Sequence, residues 1–248
     1  MNSKSLIVKD LMNKSVATIV TKNINTASVF KKYKIDFSVH GNMLLTKACD
    51  KKKVNIKNIV NDLKAVNNKV YYLKDYNSWD LDFLIDFLVN IQHEYKEENI
   101  LFLKEYGEKV AKIYGKEYKE LLKVNRLIQK NADTILEHMK NEERTIFPYI
   151  KKLVEAKNKK IVVNISNSPL NSPIESIEDE HEKVSKIFKK ICKLTNNYKI
   201  PENTCISYKV LYLKLQQFEE LLSNHMHIEN NILFPKAKKL EKSLLLDL

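Results

Sequence analysis

Hydrophobic positions from Trp79 onward recur at three and four residues, the spacing of a helix with one buried stripe. Leu81, Leu84, Ile85 and Leu88 begin the first such helix. A second is predicted from about Glu117 to Val154, a third from Pro173 to Leu194, and a fourth over Ser207–Lys242. The segment Asn158–Ser172 is polar and carries Pro169, so it reads as a loop. Pro173 suits the first turn of the helix after it, where the missing N–H costs nothing. Four long helices joined in order by single loops predict an up-down bundle.

The first 69 residues read as a separate small helical module. Thr26–Tyr33 is amphipathic through Ala27, Val29 and Phe30, a turn is expected at Ser38–Asn42, and a last helix over Val54–Val66. Asn67–Ser78 has no helical period and ends in Ser78, a candidate N-cap. The expected division is therefore 1–69 for the module, 70–78 for a linker and 79–243 for the bundle, an all-α chain throughout.

Composition supports this and trims the functional classes. Three glycines and five prolines in 248 residues are too few for an all-β fold, which needs turn residues every few positions. The formal net charge of +12 suggests nucleic acid, yet Arg126 and Arg144 are the only arginines. The lysines alternate with acidic residues as on solvated helix faces, so no nucleic-acid partner is expected. Cys49, Cys192 and Cys205 form no CxxC pair, and there is no membrane-length apolar run or cleavable leader pattern. These features predict a folded protein of the reducing cytoplasm.

Five of the six histidines lie in the bundle region, and a repeat organises them. His138-Met139-Lys140-Asn141-Glu142 precedes Phe147-Pro148, and His225-Met226-His227-Ile228-Glu229 precedes Phe234-Pro235. The two copies are 87 residues apart, while His93 and His181 are 88 apart, as an internally duplicated helix pair would give. On a helix, positions i and i+4 lie about 40° apart, so each His–Glu pair shares one face. Imidazole and carboxylate together suit iron, manganese or zinc inside a bundle. Two carboxylates from different helices can bridge two ions, each ion taking two histidines, with an oxo or hydroxo bridge completing a binuclear centre. The expected ligands are His93, His138, Glu142, His181, His225 and Glu229. His227, about 200° around from His225, is not counted; it is expected facing solvent or hydrogen-bonded at a helix seam. Glu97 follows His93 by four residues, but Ser185 follows His181, so Glu97 reads as an ordinary polar residue. Glu180, beside His181, reads either as a carboxylate near a channel mouth or as a solvated helix residue. The two Phe-Pro pairs read as core packing with a local kink.

HMKNEERTIFP (His138–Pro148), HMHIENNILFP (His225–Pro235), His93 in IQHEYKEE and His181 in EDEHE together resemble the hemerythrin-like superfamily. Specifically, they resemble its iron–sulfur cluster repair di-iron proteins of the ScdA and YtfE type. SVATIVTKNINTASVFKKYKIDF (Ser15–Phe37) resembles that family's small N-terminal domain, so the likeness spans nearly the whole chain. The family there continues with two adjacent cysteines and two glycines. This chain has Ser38-Val39-His40-Gly41, which puts the module's thiolate chemistry in doubt. His40 is a candidate substitute ligand or simply an exposed turn residue. Oxygen-carrying hemerythrins differ at Ser185, where they carry a further histidine, and at Asn230, where they carry an aspartate. The ferritin-like Glu-x-x-His pattern does not recur in register either. The resemblance implies two iron ions at a carboxylate-bridged, non-haem centre. It also implies a stress-response role in repairing clusters damaged by nitric oxide or peroxide, through iron donation or nitric oxide chemistry. Damaged iron–sulfur proteins, nitric oxide and oxygen are then the implied partners, with a homodimer as an open possibility and no membrane association. The competing reading is a hemerythrin-like oxygen or nitric oxide sensor without turnover; a third is a scaffold whose altered N-terminal motif has abolished activity.

Overall fold

The computed structural model describes residues 11–66, 75–160 and 170–246. The expected linker falls largely on 67–74, and the loop carrying Pro169 on 161–169, both outside the described residues. The chain forms two compact units: Met1–Asp80 with Met226–Lys236, and Leu81–His225 with Ala237–Leu248. The described residues are helical apart from turns and one isolated bridge between Ser15 and Leu44.

In the first unit the short helices are α1 (Val16–Lys22), α2 (Ala27–Lys32), α3 (Leu45–Lys52) and α4 (Ile56–Ala65). Caps set their starts: Ser15 Oγ accepts from Thr18 N–H, and Asn55 accepts from Lys57 N–H. Such caps satisfy orphan amides worth about 1 kcal/mol each. Val16, Val20, Phe30, Leu45 and Ile59 form the centre of an apolar core that also takes in Cys49. With so few glycines, Lys34 and Lys53 adopt the left-handed conformation after α2 and α3. Ser78 does not cap the first bundle helix as expected. Its hydroxyl donates to Asp75 O and closes a short 3-10 turn, and the helix begins at Leu81.

The bundle helices run α5 (Leu81–Phe87) into α6 (Glu94–Tyr114), α7 (Lys119–Asn141) into α8 (Phe147–Lys159), α9 (Asn171–Leu194), and α10 (Ile206–Ile228) into α11 (Phe234–Leu246). π-helical turns join three of these pairs, at Leu88–His93, Glu142–Ile146 and Glu229–Leu233. The helical backbone is therefore unbroken through each pair, giving four long rods. Their buried stripes keep the predicted period: Val124, Ile128, Ala132 and Ile135 on α7, and Ile174, Ile177, Val184, Phe188 and Ile191 on α9. Each fully buried aliphatic or phenyl side chain contributes roughly 1.5–3 kcal/mol. Gly107 lets α6 approach closely, since a Cβ there would meet Asn125 Oδ1 at 3.2 Å and Ile128 Cδ1 at 3.3 Å. No helix among the described residues is long and apolar enough to cross a membrane.

Candidate metal centre

The inward stripes deliver polar groups to one level of the bundle. His93, His138, His181, His225, Glu142 and Glu229 are all buried, and both glutamates are 0% exposed. Glu142 lies between two histidines: its Oε1 is 3.3 Å from His138 Nε2 and its Oε2 is 3.5 Å from His93 Nε2. His138 Nε2 and His181 Nε2 converge to 3.0 Å, and the rings of His93 and His225 are 5.1 Å apart. The continuous helix carries Glu229 one turn beyond His225. Two sets of four donors result, His93, Glu142, His225, Glu229 and His138, Glu142, His181, Glu229, each with its atoms within 4.8 Å of one another. Both glutamates belong to both sets. All six residues expected from the spacing thus meet in one place.

The outer ring nitrogens are held by oxygens. His93 Nδ1 is 2.6 Å from Glu143 Oε1, His138 Nδ1 is 2.7 Å from Glu180 Oε2, and His225 Nδ1 is 3.1 Å from Gln92 Oε1. A carboxylate or amide oxygen there selects the tautomer with Nδ1–H outward, which turns the Nε2 lone pair toward the centre. Burial, with Glu97 adding repulsion, pushes the Glu143 carboxyl above its usual range and makes it a stronger acceptor. Glu143 and Gln92 were not among the residues singled out by the sequence. Their signal was faint: each adjoins a candidate ligand, Glu142 and His93 respectively. Glu180 is partly buried and fixed on His138, which removes the freely solvated reading.

Backbone geometry marks the same residues. The Phe147 N–H bonds Glu142 O, and the Phe234 N–H bonds Glu229 O, five residues back instead of four. A proline cannot donate and presses on the carbonyl four residues earlier. Pro148 and Pro235 each follow such a turn, so the widened turn relieves the conflict without breaking the rod. The kink expected at each Phe-Pro pair is in fact a π-turn that starts on the glutamate, and such turns gather at functional sites.

The neighbouring polar positions face elsewhere. Glu97 and His40 are exposed. Asn230 Nδ2 donates to Ser38 O at 3.3 Å. His227 is 0% exposed, so the solvent-facing alternative does not hold. Its Nε2 lies 3.3 Å from Thr21 Oγ1, and its Nδ1 lies 3.4 Å from Phe37 O and 3.2 Å from Asn231 Nδ2. Burial pushes this imidazole down to about 4, so it is neutral at neutral pH. It is a packing and hydrogen-bonding residue of the first unit.

The donor set suits transition-metal cations. Two nitrogens each about 2.1 Å from one ion, at a right angle, lie about 3 Å apart, matching the separation of His138 and His181 Nε2. Glu143→Gln or Glu180→Gln should keep the fold but weaken the Nδ1 anchor, lowering metal affinity by about 10–100-fold. Competition with a chelator of known affinity measures this; unchanged affinity in both variants would show that the anchors contribute nothing.

Comparison with known proteins agrees with this architecture. Residues 12–67 match the family described as Domain of Unknown function (DUF542), and residues 91–237 match the Hemerythrin HHE cation binding domain. The Iron-sulfur cluster repair protein ScdA of Staphylococcus haemolyticus is 29% identical over 221 residues, covering 89% of this chain and 96% of that protein. ScdA of Staphylococcus epidermidis is 28% identical over 229 residues, covering 90% and 96%. The Iron-sulfur cluster repair protein YtfE of Yersinia pseudotuberculosis is 25% identical over 228 residues, covering 92% and 98%. With a buried histidine–glutamate cluster on four helical rods and a family match across most of the bundle, this chain belongs to the hemerythrin HHE cation-binding family.

Proposed function

We propose that the chain holds two iron ions through His93, His138, Glu142, His181, His225 and Glu229, and that it serves in the repair of damaged iron–sulfur clusters in the cytoplasm. The observation that carries the reading is Glu142, whose two oxygens face histidines of two different donor sets. That is the placement a bridging carboxylate requires. Bound iron would supply one-electron chemistry and coordination positions open to a small ligand such as nitric oxide. The chain's own part is to fix the imidazoles through Glu143, Glu180 and Gln92 and to exclude water from both bridging glutamates. Glu142 and Glu229 would hold the iron through carboxylate oxygens, and iron delivered to a damaged cluster would be the protein's cargo. The repair relatives, similar to this chain over nine-tenths of its length, support the role.

The N-terminal module enters this reading without a thiolate. Ser38 and Val39 stand at the paired-cysteine position, and Cys49 is buried in the module core, where burial pushes its thiol up. The repair role is therefore placed in the bundle. The test is metal analysis and a visible spectrum after anaerobic ferrous loading, followed by reactivation of a hydratase whose cluster nitric oxide has damaged. Two irons per chain and reactivation that fails with chelated protein are expected. Zinc alone, no metal, or a loaded protein without repair activity would overturn it.

A further inference from the structure

Large apolar side chains stand on the outer side of two neighbouring rods: Tyr95, Phe102, Tyr106 and Ile113 on α6, and Ile206 and Leu213 on α10. Tyr106 is half-buried, and the other five are 39–78% exposed. Steps of 7, 4 and 7 residues along α6, and of 7 along α10, keep each row within about 40° of one line along its helix. The Phe102 and Tyr106 rings stack with centroids 5.0 Å apart, and Lys214 Nζ of α10 sits 5.8 Å from the centre of the Phe102 ring. His93 lies beside His225 and Gly107 beside Leu211, so these two rods run antiparallel. Single exposed apolar residues are ordinary on a folded protein. A row ordered by the helical period, with a second row on the adjacent rod, is the mark of a surface that another surface covers.

Charge indicates what covers it. Beside the row on α6, exposed Glu94 and Glu98 lie toward His93, and exposed Lys109 and Lys112 toward the opposite end. On α10, Glu220 lies toward His225, and Lys209 and Lys214 toward the opposite end, so both rods are acidic at one end of the face and basic at the other. On α6 this order follows the helix dipole. On α10 it runs against the dipole, because a lysine in a first turn is disfavoured, and helix stability does not account for it. We propose that this face pairs with the same face of a second copy of the chain, the two α6 rods lying antiparallel about a two-fold axis. An axis at the level of Lys104 sets Tyr95 against Ile113 of the second copy and Phe102 against Tyr106, with each pair made twice as an isologous contact requires. The same register carries Glu94 and Glu98 of each copy onto Lys109 and Lys112 of the other. Burial of the apolar rows drives the association, and the charges fix its direction, since a parallel arrangement sets like charge on like. The pairing needs no bound metal, so it is independent of the two-iron reading.

The test is sedimentation equilibrium of the full-length chain over a range of protein and salt concentrations. A dimer is expected, with a Kd that rises as salt screens the charges. Reversing the acidic end (Glu94→Lys with Glu98→Lys) or the basic end (Lys109→Glu with Lys112→Glu) should raise Kd at least about tenfold, because like charges then meet. Helix content should be unchanged in both. Mixing the two reversed chains should restore a dimer with one chain of each kind, which a merely destabilised fold would not do. Ile113→Ser and Leu213→Ser keep every charge and serve if a reversed chain fails to fold; they too should weaken the dimer. A wild-type chain that stays monomeric would overturn the pairing and leave the face to a helix of another protein. A dimer whose Kd none of these variants changes, or reversed chains that do not pair on mixing, would overturn it by placing the contact on a different surface.

Discussion

Glu142→Leu should strip metal from the centre and, at the same time, raise the melting temperature of the metal-free protein. On the two-iron reading proposed above, iron content is expected to fall from two per chain to one or none, because Glu142 is common to both donor sets. The gain in stability has a separate cause. Glu142 is fully buried, and a dehydrated carboxylate is expensive even beside imidazole. Leucine in its place also removes the repulsion between the two buried carboxylates of the metal-free site, Glu142 and Glu229. For a domain of this size each kcal/mol raises the melting temperature by about 2–4 °C. The metal reverses the order: loaded wild-type protein should be more stable than the variant, since a ligand that binds only the folded state adds stability. Elemental analysis and calorimetry on both forms check the two halves. Undiminished iron in Glu142→Leu would remove the bridge, and a lower melting temperature of the metal-free variant would show that Glu142 is structural.

Gly41→Ala should loosen the first unit. A Cβ at Gly41 would lie 2.4 Å from Phe37 O and 2.7 Å from Ala17 Cβ, and the Ala17 N–H donates to Gly41 O at 2.7 Å. Neither obstacle is a flexible side-chain end, so the backbone of the turn has to move. The same turn presents Phe37 O to His227, and Ser38 O to Asn230 and Asn231. Overpacking of this kind costs about 1–3 kcal/mol, and strained hydrogen bonds add to it. Hydrogen exchange across Ser15–Leu63 should accelerate by the corresponding factor, about 5- to 150-fold. Protection equal to that of the wild type would mean the turn relaxes at no cost. The close approach gives Gly41 a structural reason that is independent of any thiol chemistry.

Four of the candidate ligands, His138, Glu142, His225 and Glu229, were legible from spacing along one helix, and His93 and His181 from the 88 residues that separate them. A four-residue step fixes a shared face whatever the neighbours are, and the 87-residue repeat gave two copies in register. The helical rods were legible for the same reason, since apolar period needs no partner to be read. Ser78 was misread because a serine before a helix can serve equally as a cap or as a donor to the turn behind it. Only its surroundings decide between these roles.

The sequence by itself determined the all-helical architecture, the level at which the histidines and glutamates meet, and the family likeness. These depend on local periodicity, which backbone geometry alone converts into faces. Tertiary structure decided what covers those faces and what holds each group. Glu143, Glu180 and Gln92 reach histidines 50, 42 and 133 residues away, separations that no local pattern encodes. His227 points away from its neighbour His225, as the period requires. It is nevertheless buried, because Thr21 and Phe37 from the distant N-terminal segment pack against it. Lys96 reads in the sequence as one more solvated lysine, and only the packing of the rods shows that its side chain is buried.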